Sequence, residues 1–150
     1  MCVCESYDGP TVFESVYRMA RPLRGKSYSC CECARTIKHG DWYRESRGLW
    51  EDTWDTFRMC LRCWTRREAW AEVEDCQPVW GGGELAESIL ECFLEEPEQR
   101  PRYGAAFRKH RTLVAGEVAA LEAARAERYR LAGVERERRK WERAHLGEGI

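Results

Sequence analysis

Cys30-Cys31-Glu32-Cys33 and Cys60-Leu61-Arg62-Cys63 are the two stretches that decide how this chain folds. Each contains a Cys-x-x-Cys pair, and 26 residues separate the two pairs. Two such pairs are typical of one tetrahedral zinc site, because thiolates suit a borderline-soft cation and each short turn brings two sulfurs to one ion. We predict a closed shell of four ligands, which leaves no open position for a substrate and indicates structural zinc. The predicted ligands are Cys30, Cys33, Cys60 and Cys63.

The first pair leaves one alternative open. Cys31 and Cys33 form a Cys-x-Cys pair, so Cys31 is a possible ligand in place of Cys30. We prefer Cys30, because its spacing to Cys33 mirrors the spacing of the second pair.

The remaining cysteines raise the question of a second zinc site. If Cys31 stays free, Cys2, Cys4, Cys76 and Cys92 complete a second set of four. The alternative is that Cys76 and Cys92 are small buried apolar residues and that the N-terminus is disordered. The sequence alone leaves both interpretations open.

Composition bounds the class of protein. A chain of 150 residues makes one small domain, or one domain with an extension. Nine cysteines in so short a chain also suit a secreted disulfide framework. The count is odd, however, and neither a signal-peptide run nor an apolar stretch of about 20 residues is present. We therefore expect a cytoplasmic protein that does not bind membranes.

The element order between and after the cysteine pairs predicts the fold. Residues 30–40 form a metal knuckle, and the aromatic-rich segments 41–47 and 49–59 suit two strands of a hairpin. Residues 60–75 contain no Pro or Gly and place Trp64 and Trp70 at helical spacing. Knuckle, hairpin and helix follow one another as in a treble-clef zinc finger. The predicted class is a small α+β zinc-bound fold with a helical C-terminal extension.

The second half of the chain is predicted to be helical. A helix is expected over residues 84–95, and a break follows between Pro97 and Pro101. From residue 103 to about 144 the chain is rich in Ala, Glu and Arg and predicts a long, partly exposed helix. We place a zinc-binding domain at residues 1–96 and an Arg/Glu-rich helical extension at residues 97–150.

The polar residues indicate no catalytic constellation. A His-Asn-His nuclease site requires helix residues that hold a catalytic metal. The chain contains no Asn, and His39 precedes the predicted hairpin. A redox Cys-x-x-Cys requires a thioredoxin-like βαβ context, which the pattern lacks. We expect a protein that is not an enzyme and has no small-molecule substrate.

Charge is distributed unevenly, although the formal net charge is only −1. Residues 84–98 carry six Glu and no basic residue, whereas residues 99–150 carry 13 Lys and Arg against 7 Glu. We expect the C-terminal helix to bind a protein partner, with nucleic acid as the alternative through phosphate contacts. Glu residues three or four positions away neutralise part of this charge. The candidate partner-binding residues are Arg136, Arg138, Arg139, Lys140, Trp141 and Arg143.

Residues 22–94 resemble a group of uncharacterised cysteine-rich phage and prophage proteins. The shared pattern is a knuckle, a turn of the form Ile-x-x-Gly-[Asp/Glu]-x-Tyr, a Trp-rich hairpin and a second Cys-x-x-Cys pair. The residues that match it are Ile37, Gly40, Asp41, Tyr43, Trp50, Trp54, Phe57, Cys60 and Cys63. The resemblance implies a phage accessory protein in a bacterial host cell, and an anti-CRISPR-like role against a defence complex is one such function. It implies no catalytic activity.

Overall fold

The computed structural model describes residues 12–50, 52–74 and 85–146. It is a small α+β fold with a β-hairpin sheet and a long C-terminal helix, as the sequence predicts. The strands are β1 (Val12–Ala20), β2 (Tyr28–Ser29), β3 (Thr36–Ile37), β4 (Tyr43–Trp50) and β5 (Thr53–Cys60). The helices are α1 (Leu61–Glu74), α2 (Leu85–Glu95) and α3 (Gln99–Leu146).

The main sheet is antiparallel, with the order β1-β4-β5. The β4–β5 hairpin confirms the two strands predicted over residues 41–47 and 49–59, and its register pairs Tyr43 with Cys60. β1 adds a third strand. The sequence pattern around residues 11–19 is compatible with a short strand or with a helical turn. The two short strands β2 and β3 form a separate antiparallel pair around the first cysteine pair. The sheet thus ends next to the second cysteine pair.

β1 departs from regular strand geometry. Its pairing with β4 shifts register twice, between Phe13 and Ser15 and between Ser15 and Arg18. Tyr17 has a positive φ of 48°, and its backbone N–H donates to the buried Ser46 Oγ at 2.8 Å. A bulge moves side chains off the alternation of a regular strand. For this reason the residues of β1 show no clear alternation of apolar and polar side chains.

Helix α1 is the centre of the fold and confirms the helix predicted over residues 60–75. Its side towards the strands buries Cys63 and Trp64, which pack with Tyr43 and Met59 of the sheet. Further along the helix, Trp70 is buried and packs with Ile89 of α2. The sheet and α2 therefore both pack against α1.

The long helix α3 begins earlier than predicted. It starts at Gln99, so Pro101 lies in its first turn and does not form part of a break. Proline is tolerated there, because the first helical N–H groups have no partner within the helix. Within the described part of the chain, no helix combines the length and the apolar character needed to cross a membrane.

The chain divides into two compact units, Met1–Val114 and Ala115–Ile150. The first turns of α3 belong to the first unit, where Ala106 packs with Ala69 and Val73 of α1. The domain boundary predicted between residues 96 and 97 is a statement about which segment can fold on its own. It therefore stays a prediction.

A row of charges crosses the three strands of the main sheet. Glu45 of β4 is 7% exposed and lies opposite Arg18 of β1 and Arg58 of β5. Its carboxylate accepts hydrogen bonds from Arg18 Nη2 at 2.7 Å and from Arg58 Nε at 3.1 Å, and the Tyr43 hydroxyl donates to it at 3.0 Å. Burial acts to raise the pKa of Glu45, but these hydrogen bonds outweigh it and hold the pKa below its usual value.

We predict that Glu45→Gln destabilises the protein by about 2–3 kcal/mol at pH 7, because two arginines lose their shared anion. A lowered carboxyl pKa stabilises the fold fully above the unfolded-state pKa, and this contribution declines as the pH falls through the folded-state pKa. The free-energy difference between variant and wild type, measured by urea unfolding, should therefore shrink below about pH 4.5. The exposed Glu91→Gln serves as the control and should change stability by less than about 0.5 kcal/mol.

Candidate metal centre

The first cysteine pair lies in a tight loop between β2 and β3. The Cys30 N–H donates to the Arg35 carbonyl at 2.9 Å, and the Ala34 N–H donates back to the Cys30 carbonyl at 3.0 Å. Ala34 has a φ of +55°, the left-handed conformation that usually requires glycine. These bonds fold the loop tightly enough for Cys30 and Cys33 to face the same point.

The second cysteine pair spans the junction of a strand and a helix. Cys60 is the last residue of β5, and Cys63 lies in the first turn of α1. The N-terminus of a helix carries a partial positive charge, which favours thiolates over thiols. The start of α1 therefore supplies both the position and the electrostatics of this pair.

All four predicted sulfurs converge on one point. The Sγ atoms of Cys30, Cys33, Cys60 and Cys63 lie within 4.8 Å of one another, and Cys33 Sγ is 3.9 Å from Cys60 Sγ. A tetrahedral ion with Zn–S bonds of about 2.3 Å separates its sulfurs by about 3.8 Å. The four-cysteine group is therefore positioned to bind a metal ion and is compatible with zinc.

Hydrogen bonds among the sulfurs shift the pKa values of the thiols in opposite directions. The pKa of the Cys30 thiol is lowered, because the thiols of Cys31, Cys60 and Cys63 donate to its sulfur. The backbone N–H of Cys60 also donates to Cys30 Sγ at 3.3 Å. The pKa values of the Cys60 and Cys63 thiols are raised, chiefly because each shares its proton with Cys30. A cation at the centre would replace these shared protons.

The structure places Cys31 outside the converging set. Cys31 is half-buried, and the pKa of its thiol is raised, first because it donates a hydrogen bond to Cys30 and then because it is buried. The four sulfurs that converge include Cys30 and not Cys31. This arrangement agrees with the preferred ligand assignment.

Two contacts tie the metal loop to the rest of the first unit. The Cys31 N–H donates to the Arg58 carbonyl at 2.8 Å, and the Arg58 guanidinium lies 4.2 Å from the centre of the Tyr28 ring. On the other side, the N–H of Leu85, the first residue of α2, donates to the Glu32 carboxylate at 3.3 Å. The loop is thus joined both to the Glu45 charge row and to the start of α2. Sequence reasoning missed both contacts, because neither pairing has a local spacing signal.

The predicted second site falls mostly outside the described residues. Cys2, Cys4 and Cys76 lie in segments that the structure does not describe, and Cys92 lies in α2 without a described side chain. The second zinc site therefore stays a prediction.

The predicted partner-binding residues lie in the second unit, where ion pairs within the helix engage several of them. Arg138 pairs with both Glu135 and Glu142, Arg139 pairs with Glu135, and Lys140 pairs with Glu137. Trp141 is 59% exposed and stacks on His145 with a ring separation of 4.6 Å. Arg143 donates to the Arg139 carbonyl, and Arg136 is exposed.

We predict that Cys30→Ser abolishes stoichiometric metal binding, whereas Cys31→Ser retains it. The reason is geometric: of the two neighbouring cysteines, Cys30 is one of the four converging sulfurs and Cys31 is not. Metal content after purification, and absorption after cobalt substitution, measure the effect. Equal metal loss in both variants would assign Cys31 to the ligand set.

Ala34 is the residue of the metal loop that has a left-handed backbone conformation. Ala34 is exposed, so Ala34→Gly loses no packing and relieves a left-handed strain of about 1–2 kcal/mol. After the higher unfolded-state entropy of glycine is subtracted, we expect a net gain of about 0.5–1 kcal/mol in unfolding free energy. The control is Ala105→Gly on the exposed side of α3, which should cost about 1 kcal/mol. A loss of stability at both positions would contradict the strain at Ala34.

No protein-family model, no curated protein and no solved structure matches this chain, so the resemblance to phage proteins stays a prediction.

Proposed function

We propose that this chain is a non-enzymatic zinc protein, in which the metal stabilises a treble-clef-like module and the C-terminal helix binds a protein partner. The observation that carries the proposal is the convergence of four cysteine sulfurs within 4.8 Å. Four thiolates fill a tetrahedral zinc shell, and such closed shells serve structure and not catalysis. The order of knuckle, β4–β5 hairpin and α1 supports the treble-clef-like assignment.

The small core of the first unit supports a structural role for zinc. Among the described residues, the cluster beside the four sulfurs contains few large buried side chains, chiefly Ile37, Tyr43, Met59 and Trp64. A core of this size stabilises a fold only marginally, and small domains commonly add a metal. In zinc-finger peptides, metal binding contributes roughly 10–16 kcal/mol to folding.

The exposed side chains of the second unit support a protein partner. Leu131, Val134 and Trp141 are 52%, 58% and 59% exposed, and their spacings of three and seven residues place them along one side of the helix. A narrow apolar edge of this kind can dock into a groove of another protein, with tryptophan as the main anchor. The ion pairs around it reduce the positive charge that is available to phosphates.

The resemblance in the sequence supplies the class of partner. We propose a bacterial protein complex as the target, with inhibition of a defence complex in an anti-CRISPR-like manner as the specific case. This part of the proposal depends on the shared knuckle and hairpin pattern and not on the metal geometry.

Nucleic acid is the second candidate partner, and a specific observation favours it. Arg128 and Arg136 are exposed and make no ion pair with any residue whose side chain the structure describes. Two such cations on one helix can contact phosphates, and the affinity would then fall steeply with added salt.

We predict that removing the metal unfolds the first unit. Chelation at pH 7 should abolish the near-ultraviolet circular dichroism of the buried Trp64 and Trp70, and one equivalent of Zn²⁺ should restore it. Retention of this signal after complete metal removal would mean that the metal does not stabilise the fold.

We also predict that partner binding depends on Trp141. Tagged wild-type protein and the variants Trp141→Ala and Trp54→Ala would be used to capture proteins from bacterial lysate, with and without nuclease. Trp54 is the matched control, because it is 48% exposed but lies on β5 of the first unit. We expect one nuclease-resistant partner that is lost only with Trp141→Ala.

Two results of that capture would count against a protein partner. Captured material that disappears with nuclease, and weakens in Arg128→Gln/Arg136→Gln, would favour nucleic acid. Equal capture by wild type and Trp141→Ala would show that the apolar edge of the helix is not the binding surface.

A further inference from the structure

The first unit contains a cavity that is separate from the metal site and from the exposed apolar edge at Leu131, Val134 and Trp141. It lies among α1, α2 and the first turns of α3, and its volume is about 410 Å³. This volume falls within the range of small-molecule sites, which is about 300–1,000 Å³. The apolar residues that line it are Ala86, Ile89, Leu90, Phe93, Tyr103 and Phe107.

Aromatic contacts hold the walls of the cavity in place. Trp70 is 5% exposed and meets the rings of Phe93 and Tyr103 edge to face at 6.2 Å and 6.4 Å. Phe93 and Tyr103 also contact each other, with ring centres 5.2 Å apart. Such contacts leave little freedom for the side chains to collapse inwards, so the cavity is largely formed before any ligand arrives.

The two polar side chains described in the cavity lining, Arg66 and Tyr103, can both donate hydrogen bonds to an anion. Arg66 of α1 lines the cavity, and no residue with a described side chain pairs with its guanidinium. The pKa of the Tyr103 hydroxyl is raised by burial, and the nearby Arg66 charge opposes that rise. A guanidinium from α1 and a phenolic hydroxyl from α3, both in the lining, offer hydrogen-bond donors to a carboxylate in the cavity.

We propose that this cavity binds a monocarboxylate amphiphile, with its apolar chain against Ile89, Phe93 and Phe107 and its carboxylate at Arg66 and Tyr103. The apolar lining provides the affinity, and the one cation selects an anionic head over a neutral or cationic head of the same chain length. The site is independent of the macromolecular partner proposed above, because it uses only side chains of the first unit.

The test is a titration of the zinc-loaded full-length chain with decanoate below its micelle concentration. Isothermal calorimetry measures affinity, and ¹H–¹⁵N NMR locates the site. We expect saturable one-to-one binding, with shifts concentrated in α1, α2 and the first turns of α3. Octanoate, which is two methylenes shorter, should bind about fifteenfold more weakly, because each buried methylene changes affinity about fourfold. Decanol and decylammonium should bind more weakly than decanoate.

Variants separate the role of Arg66 from general apolar binding. Arg66→Gln should weaken decanoate binding about tenfold, Arg66→Lys should preserve most of it, and Tyr103→Phe should weaken it less than Arg66→Gln. Ala86→Phe places a ring at an exposed lining position and should block binding without removing any buried side chain. Arg62→Gln is the matched control on the exposed side of α1 and should bind like wild type.

The proposal fails if decylammonium or decanol binds as tightly as decanoate, or if Arg66→Gln leaves the affinity unchanged. It also fails if the NMR shifts spread over the whole chain, because that pattern indicates nonspecific association. None of these readouts involves partner capture, so a failure here is distinguishable from a failure of the proposed partner binding.

Discussion

The convergence of four cysteine sulfurs is the constraint on which the first unit depends. Cys30 and Cys33 come from a loop between two strands of only two residues each, and Cys60 and Cys63 come from the junction of β5 with α1. Strands so short cannot hold a loop by their own hydrogen bonds. A tetrahedral ion bound by these four sulfurs would join the loop to the junction and so fix where α1 leaves the sheet.

The position of α1 then determines the remaining packing. The first turn of α1 contributes Cys63, the next residue Trp64 packs on the sheet, and Trp70, about two turns later, packs against α2. The Glu45 charge row reinforces the same arrangement, because Arg58 contacts Glu45 through its side chain and Cys31 through its carbonyl. The four-cysteine group, the sheet and the helices of the first unit are therefore joined through α1, and the cavity at Arg66 forms on the side of α1 that faces the following helices.

Patterns with a short, regular spacing could be read from the sequence. The two Cys-x-x-Cys pairs, the aromatic hairpin and the three helices all have such spacing, and the structure contains each of them. The β1 strand was less clear because a bulge at Tyr17 breaks its alternation. The sequence predicts a later start for α3, because a proline such as Pro101 usually breaks a helix, whereas in the structure Pro101 lies in the first turn. The Glu45 row and the Leu85–Glu32 contact join residues 13 to 53 positions apart, and a single sequence carries no signal for such pairings.

The central claim is that one metal ion is held by four sulfurs and nothing else. Zinc K-edge X-ray absorption of the protein, purified with its metal, tests this most directly. We predict a first shell of four sulfur atoms at about 2.3 Å, with no nitrogen or oxygen. A shell of three or fewer sulfurs completed by oxygen or nitrogen at about 2.0–2.1 Å would contradict the closed site and reopen a catalytic role for the metal.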